Sequence, residues 1–264
     1  GKEYFVDSKG RLMNNCSDGI PVLADDISVT FKRALQNSVH SFHREISRGY
    51  ITAEGGNRVG FCGTAVLDPS KGYTVDSIKN ISSINIRIAR EVRNCSVEIF
   101  EKSLAERPSS LIIAGPPSSG KTTVLRDLCR VAGSFYRLSV IDERNELAAT
   151  KDGVAMNDIG MMSDVFNSYN KYDGIMTAVK VMSPTMLVCD EIGSKEDMKA
   201  LEYAVNSGVK LIASCHASTI DELKKRPLVS KLIKEKVFDY CALLGTGPMC
   251  GKLTAFYRLG DKYG

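Results

Sequence analysis

The sequence predicts an α/β protein in two parts: a smaller α+β domain over residues 1–106, and over residues 107–264 a domain built on a mostly parallel sheet. Three observations carry this. Beyond Leu111, short apolar runs alternate with stretches of helical periodicity, the pattern of strands covered on both faces by helices. Ahead of it, one amphipathic stretch leads into extended runs joined at paired glycines. Between the two patterns, Glu106-Arg-Pro-Ser109 is a polar connection with a proline.

In the first part, Ile27, Phe31, Leu35, Val39, Phe42 and Ile46 recur at steps of three and four, which predicts one helix from about Asp25, stopped at Gly49. Next, YITAEGGNRVGFCGTAVLD reads as a β-hairpin, its two glycines supplying positive φ at the turn. SSINIRIAREV follows as a strand, with Ile84, Ile86 and Ile88 facing inward and Asn85 and Arg87 outward.

In the second part the expected elements are SLIIAG as a strand, a helix from about Lys121, the strand LSVID, a helix from Tyr172 to Met182, the strand TMLVCDE, a helix from Lys195 to Asn206, and the strand VKLIASCH. VFDYCALLG and KLTAFYRLG, flanking Thr246-Gly-Pro, read as a terminal antiparallel hairpin.

Composition narrows the function classes. A hydrophobic content of 43% is that of a folded domain, and a net charge of +4 with no tryptophan gives no footprint for nucleic acid, so none is expected as a partner. No apolar run approaches the roughly 18 residues of a membrane span, and no secretory leader is visible, so the expectation is a soluble, cytoplasmic chain. Gly1 in place of Met, followed by strand-like KEYFV, leads us to expect a native start upstream. The eight cysteines are scattered without a C-x-x-C pair, as expected for reduced thiols, although Cys241 and Cys250 flank the hairpin and could approach one another.

The chemistry concentrates in the second part. Gly115, Pro116, Pro117, Ser118, Ser119, Gly120, Lys121, Thr122 and Thr123 form a complete Walker A sequence between a strand and a helix. The glycines let backbone N–H groups close around phosphates at a helix N-terminus. Lys121 then neutralises the β- and γ-phosphates, and the Thr122 hydroxyl reaches Mg²⁺. Met186-Leu-Val-Cys-Asp190-Glu191 has the Walker B form, with Asp190 on the Mg²⁺ shell and Glu191 polarising water. The cofactors expected are therefore ATP and Mg²⁺. His216 ends its strand on the ligand side of a parallel sheet, where it would sense the γ-phosphate or the attacking water. His40 and His43 belong to the first helix, on its surface or in its packing. For Asp142 and Glu143 two readings stay open: positioning of water or metal, or an ion pair with Arg144.

These residues also carry a resemblance. GPPSSGKTTVLRDLCR, VIDERNELA, VCDEIGSKEDMKAL, LIASCHASTIDELKKRP, GYITAEGGNRVGFCGTA and INIRIAREV together resemble the stage III sporulation protein AA family, bacterial ATPases similar to the type II and type IV secretion ATPases. The likeness spans nearly the whole chain. It departs at Ser118, where glycine is usual, and at CHAS, which replaces the commoner AHA or AHG. The resemblance implies a RecA-like P-loop ATPase core preceded by the smaller domain and working as a homo-hexamer. It also implies a mother-cell ATPase, held peripherally on membrane-embedded sporulation channel proteins at the outer forespore membrane. Phosphoryl transfer in such cores is helped by an arginine, often from a neighbour; Arg87 and Arg90 are the first candidates, with Arg58 and the weaker Arg226 beside them. Two other classes are open: a nucleic-acid-dependent motor on the same core, and a nucleotide-gated scaffold with little hydrolysis.

Overall fold

A computed structural model describes residues 5–6, 12–13, 22–35, 42–47, 49–53, 57–88 and 91–259. Backbone contacts divide the chain into two units, Gly1–Ala53 with Arg58–Arg87, and Glu54–Asn57 with Ile88–Gly264.

The smaller unit opens on a two-stranded antiparallel pair, β1 (Phe5–Val6) and β2 (Leu12–Met13). Helices α1 (Ala24–Ala34) and α2 (His43–Ser47) then precede a three-stranded sheet of β3 (Tyr50–Ala53), β4 (Asn57–Asp68) and β5 (Thr74–Arg87), with β4 in the centre. Where periodicity predicts one helix, α1 ends at Leu35, whose N–H returns to the Phe31 carbonyl, and a second helix begins at His43. His40 and the hairpin tip at 54–56 lie outside the described residues. The core is Leu35, Ile46, Ile51, Val59 and Phe61, with the Phe31 ring set edge-on to Phe61 at 5.0 Å. Ile84 joins that core, but Ile86 is 55% and Ile88 72% exposed, contrary to the expected inward row. The end of β5 outruns the small core, so alternation there no longer reports burial.

The larger unit carries a seven-stranded sheet. Its members in chain order are β6 (Leu111–Gly115), β7 (Leu138–Asp142), β8 (Ser163–Asn167), β9 (Met186–Cys189), β10 (Lys210–His216), β11 (Tyr240–Leu244) and β12 (Leu253–Arg258). Across the sheet they run β12-β11-β6-β10-β9-β7-β8, all parallel except the edge strand β12. Helices cover both faces, as near-continuous apolar strands require. On one face α3 (Val97–Ser103) and α4 (Lys121–Ala132) pack through Ile99, Val124, Leu125 and Leu128 onto Leu111, Ile113, Val140 and Val188. On the other, α5 (Lys171–Val181), α6 (Lys195–Asn206), α7 (Ile220–Lys225) and α8 (Pro227–Lys234) cover Ile112, Ala114, Leu187 and Leu211. Odd and even residues of β6 thus serve opposite layers.

The contact division falls earlier than a 106/107 boundary, because α3 buries Ile99 and Phe100 in the larger unit's core. Strand β8 has no counterpart among the strands expected from the sequence; it is an edge strand in which only Phe166 is buried. Cys241 is buried in β11 opposite Tyr257, whereas Cys250 is exposed in the turn, and both are free thiols.

Candidate functional site

The strand order brings the motifs together. With β6 and β10 adjacent and parallel, Gly115 faces His216 in register, and β9, next to β10, ends one residue before Asp190. All three motifs therefore open at the carboxyl edge of the sheet, where parallel α/β folds bind ligands.

The loop from β6 to α4 has the form that its residue types demand. Gly120 caps α4 at φ +83°, and a Cβ there would lie 3.1 Å from the Gly251 backbone. A Cβ at Gly115 would collide with the Ser119 side chain. Ser118 adopts φ +60°, the left-handed region in which glycine is at ease. Two bonds from the β11–β12 turn hold the loop: the Gly251 N–H donates to the Ser119 carbonyl at 2.9 Å, and Cys250 Sγ to the Ser118 carbonyl at 3.3 Å. Ser119 Oγ is buried and has no partner among the described residues. An orphaned hydroxyl beside the N-terminus of a 12-residue helix suits a phosphate chain.

Lys121 is 7% exposed, and its Nζ donates to the Gly115 and Pro116 carbonyls, each at 2.9 Å. Burial pushes its pKa down, opposed by the nearby Asp190 and Glu191 carboxylates. The same Nζ lies 3.0 Å from His216 Nδ1. A charged ammonium can only donate, so Nδ1 accepts and the Nε2–H donates to Glu191 Oε1 at 3.1 Å. One continuous hydrogen-bonded path thus runs from Lys121 through His216 to Glu191.

Thr122 Oγ1 donates to Asp190 Oδ2 at 2.7 Å, and Ser214 Oγ donates to Asp190 Oδ1. The hydroxyl and carboxylate form a hard-oxygen pair of the kind Mg²⁺ takes when phosphates and water complete its shell. Among the described residues no group of three or more His, Cys, Asp or Glu is placed to hold a metal alone. The Thr122 hydroxyl and Asp190 carboxylate fit a magnesium whose remaining shell comes from nucleotide and water.

Glu191 is a non-glycine residue at φ +52°. Its N–H donates to Ser214 Oγ at 2.9 Å, and its carbonyl accepts from Lys171 Nζ at 2.7 Å. Burial raises the carboxyl pKa, but Arg144 and His216 outweigh it and hold Glu191 below its ordinary value. Arg144 Nη1 sits 2.7 Å from Glu191 Oε2. Arg144 therefore pairs across the sheet with Glu191, a partner that neither open reading named. Asp142 is 2% exposed and caps the following turn, accepting N–H bonds from Glu146, Leu147 and Ala148 at 2.9 to 3.0 Å. That geometry holds the turn after β7.

Beyond Glu191 a cleft of about 670 Å³ is lined by Glu143, Arg144, Lys171, His216 and Arg226, among others. Arg226 thus shares a wall with His216. Arg87 lies exposed at the end of β5 in the smaller unit, in register with Arg58, whose guanidinium stands 3.7 Å over the Tyr50 ring. Arg90 lies outside the described residues. Sequence reasoning missed Lys171 and Ser214. Ser214 carries a signal in retrospect: a polar residue in an apolar strand, two before His216 and so on the same face.

Comparisons with known proteins agree with this architecture. The family model described as "Sporulation stage III, protein AA" matches residues 4–262. Stage III sporulation protein AA of Bacillus subtilis is 32% identical over 240 residues, covering 89% of this chain and 77% of that protein. Among solved structures, the ATPase DotB of Yersinia pseudotuberculosis superposes with a TM-score of 0.62 at 16% identity, over 95% of this chain and 71% of that one. DotB of Legionella pneumophila gives 0.56 at 15% identity, over 89% and 67%. Among the described residues no helix is long and apolar enough to cross a membrane.

Proposed function

Because the chain belongs to the sporulation stage III protein AA family, we propose that it is an ATP-hydrolysing motor of the secretion-ATPase type. The observation that carries this reading is the path from Lys121 through His216 to Glu191, set beside the Thr122–Asp190 pair. Three separated motifs together supply groups for phosphate, metal and water, which a phosphate-binding scaffold would not need.

In this reading the loop 115–120 and the N-terminus of α4 hold the phosphates, and Lys121 turns its ammonium to the β- and γ-oxygens. Thr122 and Asp190 would hold Mg²⁺, which would supply charge neutralisation at the phosphates. Glu191 orients the attacking water and draws on its proton, while His216 reports the γ-phosphate to Glu191. An arginine completes the charge stabilisation; Arg87, Arg90 and Arg226 remain the candidates. The resemblance supports a hexameric ring in which the smaller N-terminal domain precedes the ATPase domain. It further supports a role in energising a channel between mother cell and forespore, with the motor docked on membrane-embedded partners.

The test is Glu191→Gln. We expect phosphate release to fall by about 10²-fold or more while ATP still binds. In sporulating cells the variant should retain its membrane partners in a pull-down. Undiminished turnover in Glu191→Gln, or recovery of nucleic acid alone, would overturn the reading.

A further inference from the structure

Lys171 is the first residue of α5, yet its side chain is turned inward: the residue is 9% exposed, and its Nζ lies 2.7 Å from the carbonyl oxygen of Glu191. Two carboxylates stand on the same ammonium, Asp197 Oδ2 at 3.8 Å and Glu143 Oε2 at 3.9 Å. A buried lysine is costly unless paired, so this charge has a defined place rather than a solvated one.

The place has a use. Glu191 is held at φ +52°, a conformation that a residue with a Cβ adopts only where its surroundings impose it. Both polar groups of its backbone are gripped, the N–H by Ser214 Oγ and the C=O by Lys171 Nζ. The backbone angle decides where the carboxylate points, toward His216 and Arg144. Asp197 ties the same ammonium to the start of α6, since its Oδ2 also accepts the Gly193 and Ser194 N–H groups just beyond Glu191.

We propose that Lys171 is a positioning residue for hydrolysis: its ammonium fixes the left-handed backbone of Glu191 and so aims the carboxylate. It touches no reacting atom. The proposal rests on the ATPase reading given above.

The test uses the full chain. Lys171→Met keeps the apolar stem and removes the charge; kcat is expected to fall about 10- to 100-fold, as misplacement by an ångström does, with ATP affinity changed less than about twofold. Lys171→Arg, which restores a cation, should recover part of the loss. In a Glu191→Gln background, Lys171→Met should change the residual rate by less than about twofold, since groups acting through one another are not additive. Undiminished kcat in Lys171→Met, or losses that multiply in the double variant, would overturn the proposal. If Lys171→Met loses its cooperative melt, Lys171→Gln, which keeps an N–H donor, carries the same comparison. A crystal structure of the variant decides the point without turnover: Glu191 should leave the left-handed region, and an unmoved Glu191 refutes the idea. A wild type that hydrolyses no ATP would count against the ATPase reading, and the Glu191 backbone would still be read.

Discussion

Arg144 Nη1 lies 2.7 Å from Glu191 Oε2 while His216 Nε2 lies 3.1 Å from Oε1, so donors from two different strand ends engage both oxygens of one carboxylate. Burial pushes that carboxyl's pKa up; Arg144 and His216 more than offset it and leave the net shift downward. A carboxylate held below its unfolded value contributes stability above the ordinary carboxylate range and loses it as pH falls through the folded value. Arg144→Gln removes the larger of the two attractions. The acid limb of the turnover–pH profile should then move to higher pH, and an unmoved limb would show that Arg144 does not set the charge of Glu191.

Ser214 Oγ accepts the Glu191 N–H and donates to Asp190, one hydroxyl serving both Walker B acids. Ser214→Ala leaves the Glu191 N–H, just past the end of β9, without its acceptor, a loss of about 1–3 kcal/mol. Thermal melts should fall accordingly. Turnover titrated against Mg²⁺ should half-saturate at a higher concentration, because Asp190 loses its orienting partner.

Asp127, 4% exposed on α4, accepts bonds from the Asn94 N–H at 3.0 Å, the Ser96 N–H at 2.8 Å and Ser96 Oγ at 2.7 Å, and pairs with Arg130 at 2.8 Å. Burial raises its pKa, but these hydrogen bonds bring the net shift downward. Its contribution is therefore complete above the unfolded carboxylate value of about 3.9 and is lost below it. Asp127→Ala should cost about 3–5 kcal/mol by leaving its donors and Arg130 unmatched. Melting temperature against pH should also lose part of its acid-side decline, a change that urea titration at pH 7 and well below the unfolded carboxylate value would register.

Ser118 sits at φ +60° in the phosphate loop. A side chain there costs about 1–2 kcal/mol relative to glycine, and glycine returns about 0.4–1 kcal/mol through the freer unfolded chain. Ser118→Gly should therefore stabilise the protein by between about 0 and 1.6 kcal/mol. Its carbonyl keeps the bond from Cys250. A lower melting point would show that the hydroxyl, rather than the backbone, is what the loop retains at this position.

That the loop 115–120, Asp190, Glu191 and His216 gather at one sheet edge was legible in the sequence, because each belongs to one strand–loop segment. Strand alternation also gave the sheet class. What alternation does not carry is strand order: β7 and β9 are neighbours, so Arg144 meets Glu191 from the next strand end. Lys171 was hidden for the same reason, since the carbonyl it serves lies 20 residues further along the chain. Strand β8 escaped because Ser163, Asp164 and Asn167 dominate its five residues, an edge composition that periodicity cannot separate from loop. In the smaller unit, Ile86 shows the opposite failure, a clean alternation on a strand that has run out of core to face.

The bond from Cys250 to the Ser118 carbonyl spans 132 residues. A chain emerging from the ribosome would thus complete β6, α4 and most of the sheet before it held the piece that braces the phosphate loop. Ordering of that loop becomes one of the last events of synthesis, tied to closure of the β11–β12 edge. Truncated chains would carry the β6–α4 loop and still lack its brace.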